Sequence, residues 1–300
     1  MSLKSLHLLL SYQCTMECDH CFVWGSPCQS GTMTLEDVVG LLDEAERLGT
    51  IESVYFEGGE PFLFYPILLA AVREAASRGF GTGVVTNAYW ASDARDAEVW
   101  LRPFAGALES LSVSADPYHG TEAQLHQARA AEAAANQLGI PVGTISIAQP
   151  DDGSAPLATG TLPSGESAVM CRGRAAATLA DRMPHADWRT YTACPFEELA
   201  DPQRVHIDPV GYIELCQGIS AGSWRKEPLS EAWSDYDPTL HPIVAPLREG
   251  GPSGLVRAYA LPMAGEYADA CHLCDAARRA LRERFPEALA PDQMYGVVSA

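Results

Sequence analysis

Seven of the nine cysteines fall into two groups. Cys14-x3-Cys18-x2-Cys21 places three thiolates on one loop, soft ligands suited to iron, zinc or copper(I). Three ligands are one short of a closed tetrahedral site. Catalytic metals keep such a position open, and a cubane cluster held by three cysteines leaves one iron free for a substrate or cofactor. The second group is Cys194, Cys216, Cys271 and Cys274. Four thiolates can close around a cubane or around tetrahedral zinc, and spacing does not separate the two. Cys28 and Cys171 remain; the plain reading of each is an inert thiol.

The elements around the first group alternate. A strand over 5–10 leads straight into the cysteine loop. Thr34 and Asp37 are placed to cap a helix whose Leu35, Val38, Leu42 and Ala45 share one face. A strand over 51–56 ends at Glu57-Gly58-Gly59-Glu60-Pro61. Helices over 66–78, 92–102 and 120–138 then alternate with strands over 81–86, 108–114 and 141–147. Short connections predict parallel strands joined by helical crossovers. Working residues of such folds collect at the carboxyl ends of the strands. Here those ends carry the cysteine loop, the Gly-Gly-Glu-Pro run, Thr86-Asn87 and Ser112–Asp116.

After Ile147 the pattern changes. Residues 148–167 are rich in turn formers and predict a lid or a boundary. A smaller unit follows, with a hairpin of 204–208 and 212–215 about Pro209-Val210-Gly211. Helices are expected near 229–235 and 269–285, the latter with Arg278, Arg279, Arg282 and Arg284 on a solvated half.

The three-cysteine spacing directly after the first strand, with Gly58-Gly59-Glu60-Pro61 after the second, resembles the radical S-adenosylmethionine (SAM) superfamily. The resemblance covers about the first 147 residues. It implies an α/β fold, a partial (β/α)6 TIM-like barrel. Its Cys14, Cys18 and Cys21 would hold a [4Fe-4S] cluster with SAM on the open iron. Gly58, Gly59, Glu60 and Pro61 would hold the methionyl amino group. Ser114 and Asp116 would lie in the ribose and carboxylate region, and Ile145 would pack on adenine. One departure is His20, which stands before the third cysteine where the family has an aromatic residue. The implied chemistry is reductive cleavage of SAM to a 5′-deoxyadenosyl radical that removes a hydrogen atom from an unactivated carbon.

Cys194-x16-Gly211-x4-Cys216, followed by Cys271-x2-Cys274, looks like the SPASM and twitch subgroup of that superfamily. With no cysteine after Cys274 it is closer to the shorter twitch form. This implies residues 1–175 as the SAM domain and 176–300 as a hairpin-plus-helix domain with an auxiliary [4Fe-4S] cluster. A fully ligated cluster would carry electrons, which favours an oxidoreductase. The alternatives are an epimerase in which Cys171, beside Arg172 and Arg174, returns a hydrogen atom, and a non-catalytic iron–sulfur or zinc protein.

Lys and Arg number 20 against 39 Asp and Glu, a formal charge of −19. Such a surface repels phosphate backbones and anionic lipids, so neither nucleic acid nor membrane is an expected partner. A cationic small molecule or a peptide is the expected substrate. The cluster loop begins by residue 14, which leaves little room before it for a leader-peptide domain. Flavodoxin or ferredoxin is the expected one-electron reductant, and grouped thiols without a signal sequence suggest a cytoplasmic location.

Overall fold

A computed structural model describes residues 3–120, 122–150, 155 and 165–297. The lid or boundary expected over 148–167 lies mostly outside the described residues. The chain begins with β1 (Ser5–Ser11), α1 (Leu35–Leu48), β2 (Ser53–Gly58), α2 (Tyr65–Ser77) and β3 (Gly81–Thr86). It continues through α3 (Ala94–Leu101), β4 (Ser110–Ser114), α4 (Glu122–Gln137), β5 (Val142–Ile147) and β6 (Gly165–Ser167). β1 to β6 pair in sequence order, all parallel. Parallel strands carry helices on their faces and read as continuous apolar runs. Leu6, Leu8, Leu9 and Leu10 of β1 are accordingly all buried.

α1 begins where the sequence predicts. Thr34 Oγ1 accepts from the Asp37 N–H at 3.1 Å, Asp37 Oδ2 accepts from the Thr34 N–H at 2.8 Å, and Gly49 ends the helix at φ 65°.

The smaller unit holds α5 (Arg174–Thr178), β7 (Ala186–Asp187), β8 (Arg204–Ile207), β9 (Tyr212–Cys216) and β10 (Ile219–Ser223). α6 (Leu229–Asp235), α7 (Val244–Ala258), β11 (Glu266–Tyr267) and α8 (Ala270–Leu281) complete it. The hairpin forms as expected, and β8 then pairs in parallel with β1. One nine-stranded sheet results, in the order β10-β9-β8-β1-β2-β3-β4-β5-β6. The C-terminal unit thus extends the barrel's own sheet. On α8 the expected solvated arginine half is corrected at Arg278, which is 3% exposed and stacks its guanidinium 5.6 Å from the Tyr295 ring. Among the described residues no helix is long and apolar enough to cross a membrane.

Candidate functional site

The carboxyl ends of β1 to β5 open on one cavity. Its lining includes Cys14, Cys18 and Cys21 from the first loop, Gly58 and Gly59 from the second, Asn87, Ser114, Asp116 and Ile145. Backbone contact positions the loop. Gly59 N–H donates to the Ser11 carbonyl at 2.6 Å and Glu60 N–H to the Gln13 carbonyl at 2.9 Å. A Cβ at Gly59 would lie 2.1 Å from the Gln13 oxygen, and one at Gly58, φ 139°, 2.4 Å from the Ser11 oxygen. The two glycines are therefore what lets the end of β2 close against the cysteine loop.

Arg174 clamps the other side of that loop, donating to the Cys18 carbonyl at 2.7 Å and the Gly25 carbonyl at 2.8 Å. Both guanidinium contacts go to protein, so Arg174 braces the loop and is not an open anion site. Gly25 N–H donates to Cys21 Sγ at 3.2 Å. A Cβ on Gly25 would stand 3.4 Å from Cys14 Cβ and 3.6 Å from Cys21 Sγ. The space beside the thiols is kept clear. Burial, with the Glu60 carboxylate nearby, pushes the Cys14 thiol up to about 12. Burial and the neighbouring Cys21 and Cys14 thiols likewise raise Cys18. A metal centre would have to displace these protons, as thiolate ligation requires.

The predicted SAM-binding residues separate. Gly58, Gly59, Ser114, Asp116 and Ile145 line the cavity, and Ser114 and Ile145 are register partners on β4 and β5. Glu60 and Pro61 are fully or almost fully buried and outside that lining. Glu60 accepts from the Phe62 N–H at 3.0 Å, the Thr86 hydroxyl at 2.9 Å and the Asn87 N–H at 2.8 Å. Its carboxylate ties the second and third loops together and caps the turn over Pro61–Phe64. Asp116 is 2% exposed and accepts from His119 at 2.8 Å; His20 Nε2 lies 3.4 Å away. Burial would raise its pKa, but hydrogen bonds from His119 and His20 hold it below the usual carboxylate range. His20 stacks on Tyr118 at 4.7 Å, and its Nδ1 is buried with no hydrogen-bond partner among the described residues. An orphaned ring nitrogen beside the thiols fits a site built for a polar cofactor.

Cys194, Cys216, Cys271 and Cys274 line a second cavity, with Arg172 and Arg278 in its wall. Burial raises three of these thiols, Cys216 to about 11, Cys274 to about 12 and Cys271 well above its ordinary value. Two buried guanidiniums match the net double negative charge of four thiolates around either Zn²⁺ or a [4Fe-4S]²⁺ core. The donor set fits a metal centre.

Cys171 joins neither cavity. Its thiol is fully buried 3.0 Å from the Met183 sulfur, and its N–H donates to Asp269 at 2.9 Å. The expected hydrogen donor therefore lies off the mouth, although its neighbours Met170 and Arg172 reach it. Sequence reasoning missed His7 and His206, both in the mouth, whereas the expected Asn87 does line it. The available signal was a histidine inside an apolar strand run, Leu6-His7-Leu8 and Val205-His206-Ile207.

The Radical SAM superfamily model matches residues 8–147. The chain is 34% identical over 86 residues to the tungsten-containing aldehyde ferredoxin oxidoreductase cofactor-modifying protein of Pyrococcus furiosus, covering 28% of this chain and 24% of that one. It is 26% identical over 117 residues to the putative peptide biosynthesis protein YydG of Bacillus subtilis, covering 39% and 37%. The matched segments span well under half of either relative. Among solved structures, Streptococcus suis SuiB bound to S-adenosylmethionine gives a TM-score of 0.53 at 15% identity, over 82% of this chain and 69% of that one. Histidine-tagged anSMEcpe with bound AdoMet gives 0.51 at 12% identity, over 99% and 96%. At these identities the likeness is one of fold. Residues 8–147 thus match the Radical SAM superfamily model, and the chain shares its fold with these solved structures.

Proposed function

We propose that the chain is a radical SAM oxidoreductase acting at a carbon of a peptide side chain or a small molecule, with a second iron–sulfur cluster held by Cys194, Cys216, Cys271 and Cys274. One observation carries the reading: the mouth that holds Cys14, Cys18 and Cys21 and the four-cysteine cavity share a wall residue, Arg172. A metal centre behind the mouth, reached through one buried side chain, suits an electron leaving an oxidised substrate. When bound, the first cluster and SAM would supply a radical able to take hydrogen from an unactivated carbon.

The chain's own residues have definite tasks in this reading. Gly58 and Gly59 let β2 close against the cysteine loop at the cofactor site, Asp116 holds His20 and His119 in place, and Arg174 fixes the cysteine loop. Residues 1–175 are the SAM domain and 176–300 the cluster-bearing unit, joined through β1 and β8. The name of the YydG relative, a putative peptide biosynthesis protein, supports a peptide substrate. The acidic composition supports a cationic one. A flavodoxin or ferredoxin would supply the electron.

The test is anaerobic reconstitution with iron and sulfide, reduction, and addition of SAM. Brown protein with about eight irons per chain, forming 5′-deoxyadenosine and methionine, is expected; Cys18→Ala should abolish the cleavage and Cys274→Ala should halve the iron. Zinc in place of iron, or cleavage undiminished in Cys18→Ala, sinks the reading. Peptides and amino alcohols deuterated at carbon then identify the hydrogen donor by deuterium reaching 5′-deoxyadenosine.

A further inference from the structure

Three polar side chains at the amino side of the mouth are used by nothing described so far. His7 sits within β1 and is the register partner of Tyr55 on β2 and of His206 on β8. Glu57, near the end of β2, accepts at one oxygen, Oε1, from His7 Nδ1 at 3.0 Å and His206 Nε2 at 3.0 Å. All three line the cavity that holds the three cysteines. Both imidazoles are 5% exposed. The sheet has thus placed two histidines and a carboxylate in one buried row, although 199 residues separate His7 from His206.

Two chemistries use such a set. Two imidazoles and a carboxylate can ligate a divalent metal. They can also fix where a proton sits. The nitrogens not facing Glu57 decide between them. A metal-bound imidazole donates its other N–H to an acceptor. His206 Nδ1 instead faces a donor, Arg204 Nη1, at 3.5 Å, and that guanidinium is held by both oxygens of Glu197 at 3.1 and 2.9 Å. A guanidinium only donates. His206 Nδ1 therefore keeps its lone pair, and the ring's proton is on Nε2, pointed at Glu57. Glu57 is an acceptor from both sides: burial would raise its pKa, but the two imidazoles beside it hold it well below the usual carboxylate range.

With its oxygen serving both rings, Glu57 also takes the Nδ1 proton of His7. The remaining nitrogen, His7 Nε2, carries a lone pair; the ring's hydrogen bond to Glu57 uses Nδ1 alone, and the residue lines the cavity. The ring is held by stacking on Tyr55, centroids 4.8 Å apart at 15°. A carboxylate that orients one imidazole nitrogen and leaves the other as a base is the geometry of a general base.

We propose that His7, oriented by Glu57 and His206, accepts the proton that leaves an O–H or N–H group of the substrate when the adjoining carbon is oxidised. The inference rests on the oxidoreductase reading above. After one hydrogen atom has been taken from carbon, the substrate is a carbon radical that still bears its hydroxyl or amino group. Conversion to the carbonyl or imine breaks the O–H or N–H bond and raises the carbon–heteroatom bond order. One proton goes to His7 Nε2, and one electron goes to a one-electron acceptor of the iron–sulfur class. The substrate class is therefore an alcohol or amine at the attacked carbon.

Ring-¹⁵N-histidine spectra of the full chain, assigned with His7→Gln and His206→Gln, read the premise. The expected result is neutral His7 as the Nδ1–H tautomer and His206 as the Nε2–H tautomer, with His7 reverting towards Nε2–H in Glu57→Gln. His7 protonated on Nε2 in the parent chain, or a tautomer indifferent to Glu57→Gln, overturns the proposal. So does one equivalent of Mn²⁺ broadening both rings, which would make the set a metal site. In the reduced, SAM-loaded enzyme supplied with the deuterated peptide or amino alcohol, His7→Gln should lower the ratio of oxidised product to 5′-deoxyadenosine at least tenfold. An unchanged ratio overturns the proposal, whereas absence of SAM cleavage in the parent enzyme overturns the oxidoreductase reading instead.

Discussion

The mouth of the barrel and the four-cysteine cavity set different side chains against their buried acidic groups. In the mouth, His7 and His206 lie within hydrogen-bond distance of Glu57, and His119 and His20 contact Asp116. Behind it, four thiols face Arg172 and Arg278. Histidine changes charge near neutrality and arginine does not. A site that handles substrate protons gains from the first arrangement; a site that only stores an electron needs the second. The two also differ in how they are built: the mouth depends on backbone brought to contact distance at Gly58 and Gly59, the second cavity on side chains from distant elements.

The largest effect that can break this comparison is expected at Gly59. Gly59→Ala would press a methyl against the Gln13 carbonyl, separating β2 from the cysteine loop. Backbone against backbone cannot relax by a rotamer change, so a cost of roughly 3 kcal/mol is expected, read as a melting temperature lower by about 5–10 °C. SAM cleavage should fall with it while the Cys274-dependent iron stays. Gly40, inside α1 with open space around its Cβ position, is the control: Gly40→Ala should stabilise by about 0.5–1 kcal/mol. Loss of all iron in Gly59→Ala would show that the two sites fold as one.

How much of this was legible in the sequence follows the same division. The cysteine loop, the glycine pair and the strand ends were readable because each is local: a motif, its flanking strand, and the rule that parallel strands present their carboxyl ends to one side. β3 lies at 81–86, as the strand–helix alternation predicts. The parallel pairing of β8 with β1 was not readable, since nothing near Arg204–Ile207 encodes a partner almost two hundred residues earlier. His7 and His206 stayed hidden for that reason. α7 was missed because Gly250-Gly251-Pro252 reads as a breaker, and the helix does kink there, with Gly251 at φ 60°. Glu60 was assigned to the cofactor by resemblance, whereas its carboxylate accepts from Phe62, Thr86 and Asn87. Three converging donors from two loops are invisible until those loops meet.

A smaller effect sharpens the contrast in titration. Burial pushes His206 down to about 4, against the pull of Glu57, while an unfolded histidine titrates near 6.5. Between those values the unfolded chain binds the extra proton, so stability rises with pH across the window and is lost as pH falls from about 6.5 towards 4. The loss from this group is at most about 3 kcal/mol. Urea midpoints measured between pH 7 and 5 should fall in the parent chain and fall less in His206→Gln. A profile equally steep in both would move the acid sensitivity to another group.

The smallest effect concerns the residue that belongs to both regions. Arg172 lies over the Phe22 ring at 5.3 Å, next to Cys21, and pairs with Glu197 at 3.0 Å in the wall of the second cavity. Glu197 keeps Arg204 when Arg172 is removed, so Arg172→Met deletes a positive charge without stranding a buried carboxylate. A cluster bound by four thiolates gains negative charge on reduction, and a nearby buried cation favours that reduced form. Arg172→Met should therefore make reduction of the second cluster about tenfold less favourable, a midpoint about 59 mV lower, with Arg172→Lys in between. Redox titration followed by electron paramagnetic resonance resolves the two clusters. A shift confined to the cluster that Cys274→Ala removes supports the division of labour drawn here. An equal shift in both would mean that Arg172 couples the regions electrically, and the mouth could no longer be treated as separate from the second cavity.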